Sequence, residues 1–330
     1  MKRLIIPSTI YNLFIYILLD KDWKKRIYML KLKNFNNKFL KNFNNYNLKI
    51  IYFEGIKFDK NEIWRTILYY LYYIFNVFKC VIYMYYQNIK IIYGADHIFP
   101  LLFKLKSSYL IEDGLLNYKP PKNRNTLKKK IIDFFLLRPL NYKCCGYEEN
   151  IKKIYLTGIT FIPDKIKEKV EIINLKELWK KKKLEEKKEI LAIFGFNDVV
   201  LNSIKNKKYI LFTQALSEDG FMLEEEKIIL YKRIISNYNE DLLVLKTHPR
   251  EKTNYKKFFP KIEILDQIFP AELFELLDIK FEKVITIYST TVLNFSNDIE
   301  IDFYGTEVND KLLKSLGSYD HLIKRNKVLK

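Results

Sequence analysis

Five short polar turns hold the side chains of this 330-residue sequence that can do chemistry. In Glu112-Asp113-Gly114 a carboxylate follows an apolar run, and the glycine permits a sharp turn behind it. Such a carboxylate can act as a general base toward a hydroxyl group, and the same residues also suit an ordinary Asp-Gly turn. Glu218-Asp219-Gly220, shortly after Thr213-Gln214, repeats the pattern. The sequence therefore offers Asp113 and Asp219 as candidate bases, and spacing does not choose between them.

The turn Lys246-Thr247-His248-Pro249-Arg250 contains one of only three histidines in the chain. Lys246 and Arg250 would favour a bound phosphate, and the phosphate would in turn hold the His248 imidazole protonated. A cationic imidazole beside a departing phosphate is a general acid or an electrostatic stabiliser. The alternative is a loop histidine that only caps a strand.

Two further turns indicate binding of an anion and of a diol. Tyr288-Ser289-Thr290-Thr291 brings hydroxyl groups to the start of a predicted helix, where free amide groups favour phosphate or carboxylate. Phe269-Pro270-Ala271-Glu272 places a proline at a helix start and a glutamate in its first turn. Glu272 either caps that helix or accepts hydrogen bonds from a ribose. For Tyr288-Ser289-Thr290-Thr291, the alternative to an anion site is a plain helix N-cap.

The elements that must position these turns alternate between short apolar runs and helical stretches, which predicts parallel sheets with helices on both faces. The strands predicted in the first half are Leu4–Ile6, Lys49–Phe53, Lys90–Tyr93, Ser108–Ile111 and Lys153–Leu156. Its predicted helices are Thr9–Leu19, Asn61–Tyr86, His97–Leu105 and Thr126–Leu137. The strands predicted in the second half are Tyr209–Thr213, Leu242–Lys246, Ile262–Leu265, Val284–Ile287 and Ile301–Tyr304. Its predicted helices are Glu224–Asn237, Ala271–Leu277 and Thr291–Phe295.

This order predicts an α/β protein of two Rossmann-like, doubly wound domains. We expect an N-terminal domain over residues 1–160, a lysine-rich linker over 161–188 and a C-terminal domain over 189–330. Ligands of such sheets bind beyond the carboxyl ends of the strands. The polar turns are therefore expected to face a central cleft between the domains.

Composition narrows the class of protein. Hydrophobic residues make up 48% of the chain, which is typical of a globular protein. The net charge of +19 favours an anionic partner, although lysine on solvated faces needs none. The aromatic residues are not grouped as stacking platforms, which argues against nucleic acid. Three cysteines without CxxC spacing indicate a reducing compartment and no structural zinc.

Two apolar stretches bear on localisation. The first, Met1–Leu19, is interrupted by Pro7 and lacks a small-residue cleavage site, so we expect no secretory signal and a cytoplasmic protein. The second, Ile67–Tyr86, is rich in tyrosine and is expected to be a buried helix, with contact at a membrane interface as the alternative. The positive charge would then hold the chain peripherally on the anionic inner face of the membrane.

The turns resemble the motifs of bacterial sialyltransferases. Glu112-Asp113-Gly114 and His248-Pro249 look like the D/E-D-G and HP motifs, which the polysialyltransferases share. The fuller set is most similar to glycosyltransferase family 52, the lipooligosaccharide sialyltransferases. It comprises Ile111–Tyr118, Thr213-Gln214, Lys246–Glu251, Pro270–Glu272 and Ser289-Thr290.

The resemblance implies an inverting enzyme of GT-B architecture that moves sialic acid from CMP-sialic acid to a galactose of a cell-surface glycan, without a cofactor or an essential metal. Asp113 or Asp219 would be the base, and His248 would assist the departure of CMP. Ser289 and Thr290 would hold the donor phosphate or carboxylate, and Glu272 its ribose. Substrate contacts are also implied for Glu112, Gly114, Asn117, Thr213, Gln214, Lys246, Pro249 and Arg250. A homodimer is compatible with the resemblance.

Two other classes of function stay open. One is another GT-B glycosyltransferase, which uses CMP-Kdo or extends polysialic acid. The other is a non-enzymatic basic protein that binds a membrane or nucleic acid. A panel of nucleotide sugars separates the enzymes, whereas the non-enzymatic protein would bind anionic polymers in a salt-sensitive way that does not depend on His248.

Overall fold

A computed structural model describes residues 2–35, 37–53, 63–118, 133–134, 137, 139, 142–289, 291–292, 295 and 299–319. The chain divides into two compact units, residues 1–187 and residues 188–330. Each unit is built on one sheet whose neighbouring strands all run parallel. This confirms the predicted α/β class.

The first unit contains a seven-stranded sheet in the order β3-β2-β1-β4-β5-β6-β7. Its strands are β1 Arg3–Ile6, β2 Ile27–Lys31, β3 Lys49–Phe53, β4 Ile91–Gly94, β5 Ser107–Ile111, β6 Ile151–Leu156 and β7 Val170–Ile172. Its helices are α1 Ile10–Leu19, α2 Asn37–Asn44, α3 Ile63–Tyr86, α4 Pro100–Leu105, α5 Asp164–Lys167 and α6 Leu175–Lys180. The strand order reverses between β1 and β4, which is where doubly wound sheets bind their ligands.

Local sequence explains how the first β-α unit forms. After Arg3, β1 consists of three aliphatic residues that are buried in the sheet, as the central strands of parallel sheets are. α1 begins directly after Thr9, whose hydroxyl accepts a hydrogen bond from the backbone N–H of Asn12 and so satisfies one free amide of the first turn. The carboxyl end of β1 and the start of α1 therefore form one rigid corner.

The second unit contains a five-stranded sheet in the order β10-β9-β8-β11-β12. Its strands are β8 Tyr209–Phe212, β9 Leu243–Lys246, β10 Glu263–Leu265, β11 Lys283–Thr286 and β12 Glu300–Phe303. Its helices are α8 Asp198–Ile204, α9 Glu224–Ile235, α10 Tyr255–Phe258, α11 Glu272–Leu276 and α12 Asp310–Leu316, and the division between the units falls within α7 Leu184–Ile193. α9 carries glutamates in its first turn and Lys232 and Arg233 in its last, which complements the helix dipole.

Several elements differ from those that the sequence predicts. β2 and β7 are additional strands of the first sheet, and the lysine-rich stretch 161–188 contains α5, β7 and α6. β7 has only three residues and lies at the sheet edge, so its pattern is too short to mark it as a strand in the sequence. The predicted helix His97–Leu105 begins later, at Pro100. Most of the predicted helix Thr126–Leu137 lies outside the described residues, as do two of the five residues of the predicted helix Thr291–Phe295.

Within the described part of the chain, no helix combines the length and the apolar character needed to cross a membrane.

Candidate active site

Asp113 follows the carboxyl end of β5 and lies next to the ends of two other central strands. The Thr9 hydroxyl, after β1, donates to Asp113 Oδ1 at 3.0 Å. His97 Nε2, after β4, lies 3.5 Å from Asp113 Oδ2, and only 11% of the Asp113 side chain is exposed. Three polar side chains therefore gather where the strand order of the first sheet reverses.

The turn that carries Asp113 is held from both sides. The buried Asn117 accepts the backbone N–H of Asp113 on its Oδ1 at 2.7 Å. Asn12 of α1 donates its side-chain amide to the carbonyls of Ile111, at 2.8 Å, and Glu112, at 3.2 Å. Gly114 adopts a left-handed φ of 56°, which glycine reaches without strain. These contacts fix the direction of the Asp113 carboxylate, and they give Asn117 a role within the turn.

Glu112 points into the protein. Its carboxylate is fully buried and accepts hydrogen bonds from the hydroxyls of Tyr118, at 2.8 Å, and Tyr11, at 3.2 Å. Thr157, directly after β6, donates both its hydroxyl and its backbone N–H to the same carboxylate. Burial raises the pKa of Glu112, although the hydrogen bonds from Thr157 and Tyr118 oppose that shift. Glu112 thus ties the ends of β5 and β6 together.

In the second unit, His248 lies in the turn after β9. The backbone N–H of Arg250 donates to His248 Nδ1 at 3.2 Å, so the neutral imidazole carries its proton on Nε2. Burial first, and then the charges of Arg250 and Lys246, lower the pKa of His248 to about 4. At neutral pH the side chain is therefore an uncharged N–H donor with a defined tautomer.

The side chain of Glu251 holds this turn in place through hydrogen bonds. Its Oε2 accepts the backbone N–H of His248 at 2.7 Å and the hydroxyl of Thr213, which follows β8. Its Oε1 accepts the Tyr255 hydroxyl, and burial raises the pKa of the carboxyl group. One buried carboxylate therefore connects the ends of β8 and β9, and the Thr213 hydroxyl is engaged in holding it.

Lys227 of α9 is fully buried beneath the same turns. Its Nζ lies 3.0 Å from Glu218, 3.1 Å from Glu224 and 3.9 Å from Glu251. Glu218 also accepts the backbone N–H of Lys252 at 2.6 Å. A buried ammonium is stable only when paired, and here three carboxylates surround it. The cluster joins α9 to the Asp-Gly turn and to the histidine turn.

Asp219 is paired with a residue of the histidine turn. Its Oδ1 accepts the guanidinium of Arg250 at 2.6 Å, and the Arg250 side chain is 57% exposed. The two turns that the sequence singled out in this half are therefore joined by an ion pair. The carboxylate of Asp219 meets a cation, whereas that of Asp113 meets a hydroxyl and an imidazole.

Lys246 lies at the end of β9 and is buried. Its Nζ donates to the carbonyls of Thr247, at 3.1 Å, and Gln267, at 2.9 Å, and lies 4.7 Å from the centre of the Phe269 ring. Burial lowers its pKa to about 8. Its ammonium stabilises the histidine turn from the buried side, while Pro249 and Arg250 are exposed.

The other predicted residues also follow strand ends. The buried Gln214 donates its backbone N–H to the Tyr231 hydroxyl at 2.6 Å. Ser289, after β11, accepts the backbone N–H of Thr291 on its Oγ at 3.4 Å. Glu272 is buried at the first position of α11. Thr290 lies outside the described residues.

Sequence reasoning missed the side chains that support these turns. The missed residues are Thr9, His97, Thr157 and Lys227, while Glu251 was included in the motif Lys246–Glu251 but given no role. The first three directly follow β1, β4 and β6 or lie a few residues beyond them, so the rule that selected Asp113 would have found them if it had been applied to every strand. Nothing in the local sequence marks Lys227, which sits in a helix of mixed charge.

Among the described residues, no three His, Cys, Asp or Glu side chains lie together as metal ligands would.

The chain has two α/β units, each with a parallel sheet and with polar turns at the carboxyl ends of its strands. These features define it as a GT-B protein, the class that includes many enzymes acting on nucleotide sugars. The model of glycosyltransferase family 52 matches residues 13–312, and the chain belongs to this family. It is therefore a glycosyltransferase.

The similar proteins include a relative by sequence and solved structures of the same fold. An uncharacterized protein of Haemophilus influenzae is 42% identical over 233 residues, which cover 70% of this chain and 73% of that protein. The solved GT-B domain of a sialyltransferase from Photobacterium damselae is 14% identical with a TM-score of 0.58, covering 95% of this chain and 96% of that one. An α/β-galactoside α-2,3-sialyltransferase from Photobacterium phosphoreum is 14% identical with a TM-score of 0.54, covering 98% and 96%. At these identities the two structures establish the fold.

Proposed function

We propose that the chain is an inverting sialyltransferase, which moves sialic acid from CMP-sialic acid to a terminal galactose of a cell-surface glycan of lipooligosaccharide or capsule type. Membership of family 52 supports the class of reaction. The observation that carries the proposal is the state of His248, a neutral imidazole whose Nε2–H is left as a donor at a strand end. Such a donor suits a phosphate that gains charge during the reaction.

The proposed chemistry is a single displacement at the anomeric carbon. The acceptor oxygen forms the new glycosidic bond while the bond from the anomeric carbon to the CMP phosphate breaks, and the electron pair of that bond leaves with CMP. The phosphate of CMP-sialic acid carries one negative charge as a diester and gains a second as CMP departs. A hydrogen bond from His248 Nε2 therefore strengthens in the transition state, which is the condition for catalysis.

The growing charge also changes the histidine. A phosphate dianion next to the imidazole favours its protonated form, so His248 can take up a proton from solvent, and the resulting imidazolium can pass its Nε2 proton to CMP and return to the neutral form. We propose that Arg250 and the hydroxyl of Ser289 balance the remaining charge of the phosphate. The reaction would then need no divalent cation, and its rate would be unchanged after treatment with a chelator.

Two carboxylates are candidates for the base that takes the acceptor proton. Asp113 lies between the Thr9 hydroxyl and His97, so a proton that it accepts has a neighbouring imidazole. Asp219 accepts the Arg250 guanidinium, and it would have to be released from that ion pair in order to act. Replacement by asparagine keeps the shape of each side chain and removes its basicity.

The experiment measures CMP release from CMP-sialic acid, with and without a lactoside, for the native chain and for His248→Ala, Asp113→Asn and Asp219→Asn. We expect release that depends on the acceptor and falls by about 10²-fold or more in the histidine variant and in one of the two Asn variants. Asp22→Asn, at an exposed surface ion pair, is the matched control and should retain the native rate. Release from CMP-Kdo alone, or binding of donors without turnover, would contradict the proposal.

A further inference from the structure

Lys227 of α9 is a fully buried lysine next to two polar turns of the second unit, and the proposed reaction gives it no role. Its neighbours on the helix, Ile228, Leu230 and Tyr231, belong to the apolar core of that unit. Stability alone is a weak reason for a buried cluster of charges, because its replacement by well-packed apolar side chains is often neutral or stabilising. The position of this lysine beside the functional turns therefore points to a role in the site.

The ammonium group of this lysine connects three segments of the chain. Its Nζ lies 3.0 and 3.2 Å from the two carboxylate oxygens of Glu218, which precedes Asp219 in the Asp-Gly turn. It lies 3.1 Å from Glu224 at the start of α9 and 3.9 Å from Glu251, which follows the histidine turn. Glu218 also accepts the backbone N–H of Lys252 at 2.6 Å. One cation thus holds the two turns and the helix together.

The ionisation of Glu251 decides how firmly the histidine turn is held. Its carboxylate accepts the backbone N–H of His248 at 2.7 Å and the hydroxyls of Thr213 and Tyr255. An ionised carboxylate accepts all three bonds at once, whereas a protonated one must itself donate from one oxygen. Burial raises the pKa of this carboxyl group, of whose side chain only 1% is exposed, while the three hydrogen bonds and the charge of Lys227 act in the opposite direction.

We propose that Lys227 is a positioning residue of the glycosyl-transfer site, whose charge keeps Glu251 ionised and ties the Asp-Gly turn to the histidine turn. It acts through these turns, because its own side chain is fully buried. The inference rests on the proposed role of His248 in the reaction. Besides Lys227, the titratable groups that face Glu251 are Tyr231, Lys246, His248, Tyr255 and Tyr288.

Few of these groups titrate between pH 4 and 7. Burial raises the pKa of each of the three tyrosines and lowers that of Lys246 to about 8 and that of His248 to about 4. The other carboxylates around the lysine, Glu218 and Glu224, are 14% and 40% exposed and so depend less on a buried cation. Loss of the lysine charge should therefore affect the protonation of Glu251 most.

The test compares the native chain with Lys227→Met, which keeps an unbranched side chain and removes its charge. The kcat for CMP release with a lactoside should fall by about tenfold or more at neutral pH, with little change in KM. The decline of kcat at acid pH should begin about one pH unit higher or more, because Glu251 takes up its proton earlier.

Lys182→Met is the matched control. Lys182 is also buried, with 6% of its side chain exposed, and its Nζ lies 3.9 Å from Glu186, outside these turns. This variant should keep the native pH profile, whatever its free energy of unfolding in urea. A loss of stability alone therefore does not reproduce the result expected for Lys227→Met.

A second substitution at Glu251 separates charge from packing. In Lys227→Met with Glu251→Gln, residue 251 cannot ionise, so kcat should decline at the same acid pH as in Glu251→Gln alone. The double variant buries one negative charge less than Lys227→Met, which keeps the test in hand if the single variant does not fold. A double variant that declines at higher pH than Glu251→Gln would show that Lys227 does not act through Glu251.

NMR of the histidine side chains gives a readout that does not need the reaction. The chain has three histidines, His97, His248 and His321, so their imidazole signals can be assigned by substitution. His248 should titrate near pH 4 in the native chain and closer to its ordinary pKa of 6.5 in Lys227→Met, because its turn is released.

The two proposals fail in different ways. A native chain without CMP release would refute the proposed reaction, while the titration of His248 would still show whether Lys227 holds the turn. An active native chain, with a Lys227→Met variant that keeps the native pH profile and the native titration of His248, would overturn the inference and leave the lysine a purely structural role.

Discussion

At the residue scale, the imidazole of His248 links the stability of the fold to pH. Its pKa is lowered from 6.5 to about 4, chiefly by burial. As the pH falls, the unfolded chain binds this proton first, so the stabilising contribution is complete above about pH 6.5 and is lost as the pH approaches 4. The loss amounts to about 3.5 kcal/mol at most, from about 1.4 kcal/mol per pKa unit.

His248→Gln should remove this part of the acid sensitivity. The measurement is the free energy of urea unfolding at neutral pH and near pH 4 for both proteins, since the difference between the two proteins cancels the titration of all other groups. Equal losses in the native chain and the variant would show that His248 is not held neutral in the folded state.

Glu251 offers a second prediction at this scale, because its carboxylate positions His248 and its hydrogen bonds are made within the protein. Glu251→Gln can keep one carbonyl oxygen for the His248 N–H, while its amide donates to the Tyr255 hydroxyl, which can turn to accept. Glu251→Ala removes the acceptor of the His248 N–H and of the Tyr255 hydroxyl, and it removes one of the carboxylates around Lys227.

We therefore expect kcat to fall by about tenfold or more in the alanine variant, with KM for the acceptor unchanged, and to recover largely in the glutamine variant. The pH profile of kcat should shift in the alanine variant, because the histidine turn is released from its buried support. An equal loss in both variants would instead assign a direct chemical role to the carboxylate.

At the element scale, the ends of β1 and β4 approach so closely that only glycine fits. Gly94 has a φ of 135°, and a Cβ added there would lie 2.0 Å from the carbonyl oxygen of Ile6. This contact brings the turn with Thr9 next to the turn with His97. The close approach is thus a condition for gathering the side chains around Asp113.

Gly94→Ala should destabilise the fold by about 3 kcal/mol or more, because backbone atoms rather than a flexible side chain block the new methyl group. Gly114→Ala is the control, since its φ is also positive at 56° but no atom lies within 4 Å of the added carbon. It should cost only about 1–2 kcal/mol. Urea unfolding measures the loss of stability in both variants. Similar losses would mean that the positive φ, and not the contact with Ile6, accounts for the effect of Gly94→Ala.

At the scale of the whole molecule, the net charge of +19 acts on any anionic substrate. The proposed donor, CMP-sialic acid, is an anion, so its encounter with the chain should be accelerated by the overall field and slowed when salt screens that field. We expect kcat/KM for the donor to fall several-fold from low to high ionic strength while kcat stays nearly constant. Steady-state kinetics in salt, compared with an uncharged viscous solute, provides the measurement, and a parallel fall of kcat would contradict it.

The amino-acid sequence determined the features that depend on short stretches of chain. Apolar runs alternating with helical patterns established the parallel α/β class, because strand and helix periodicity are local properties. The positions of Asp113 and His248 followed for the same reason, since each lies directly after a run that had to be a strand. The apolar character of α3 was plain from its residues, but the expectation that Ile67–Tyr86 is a buried helix was wrong, because one side of the helix is exposed.

Only the tertiary structure decided which residues meet. β7 was hidden because a strand of three residues is too short for its pattern to stand out, and His97 became a neighbour of Asp113 through the order of the strands. Burial, which depends on the whole fold, made His248 neutral and enclosed Lys227 among three carboxylates. It also decided which side of α3 faces the core and which is exposed. Contacts between residues far apart in sequence are created by packing, and no local pattern records them.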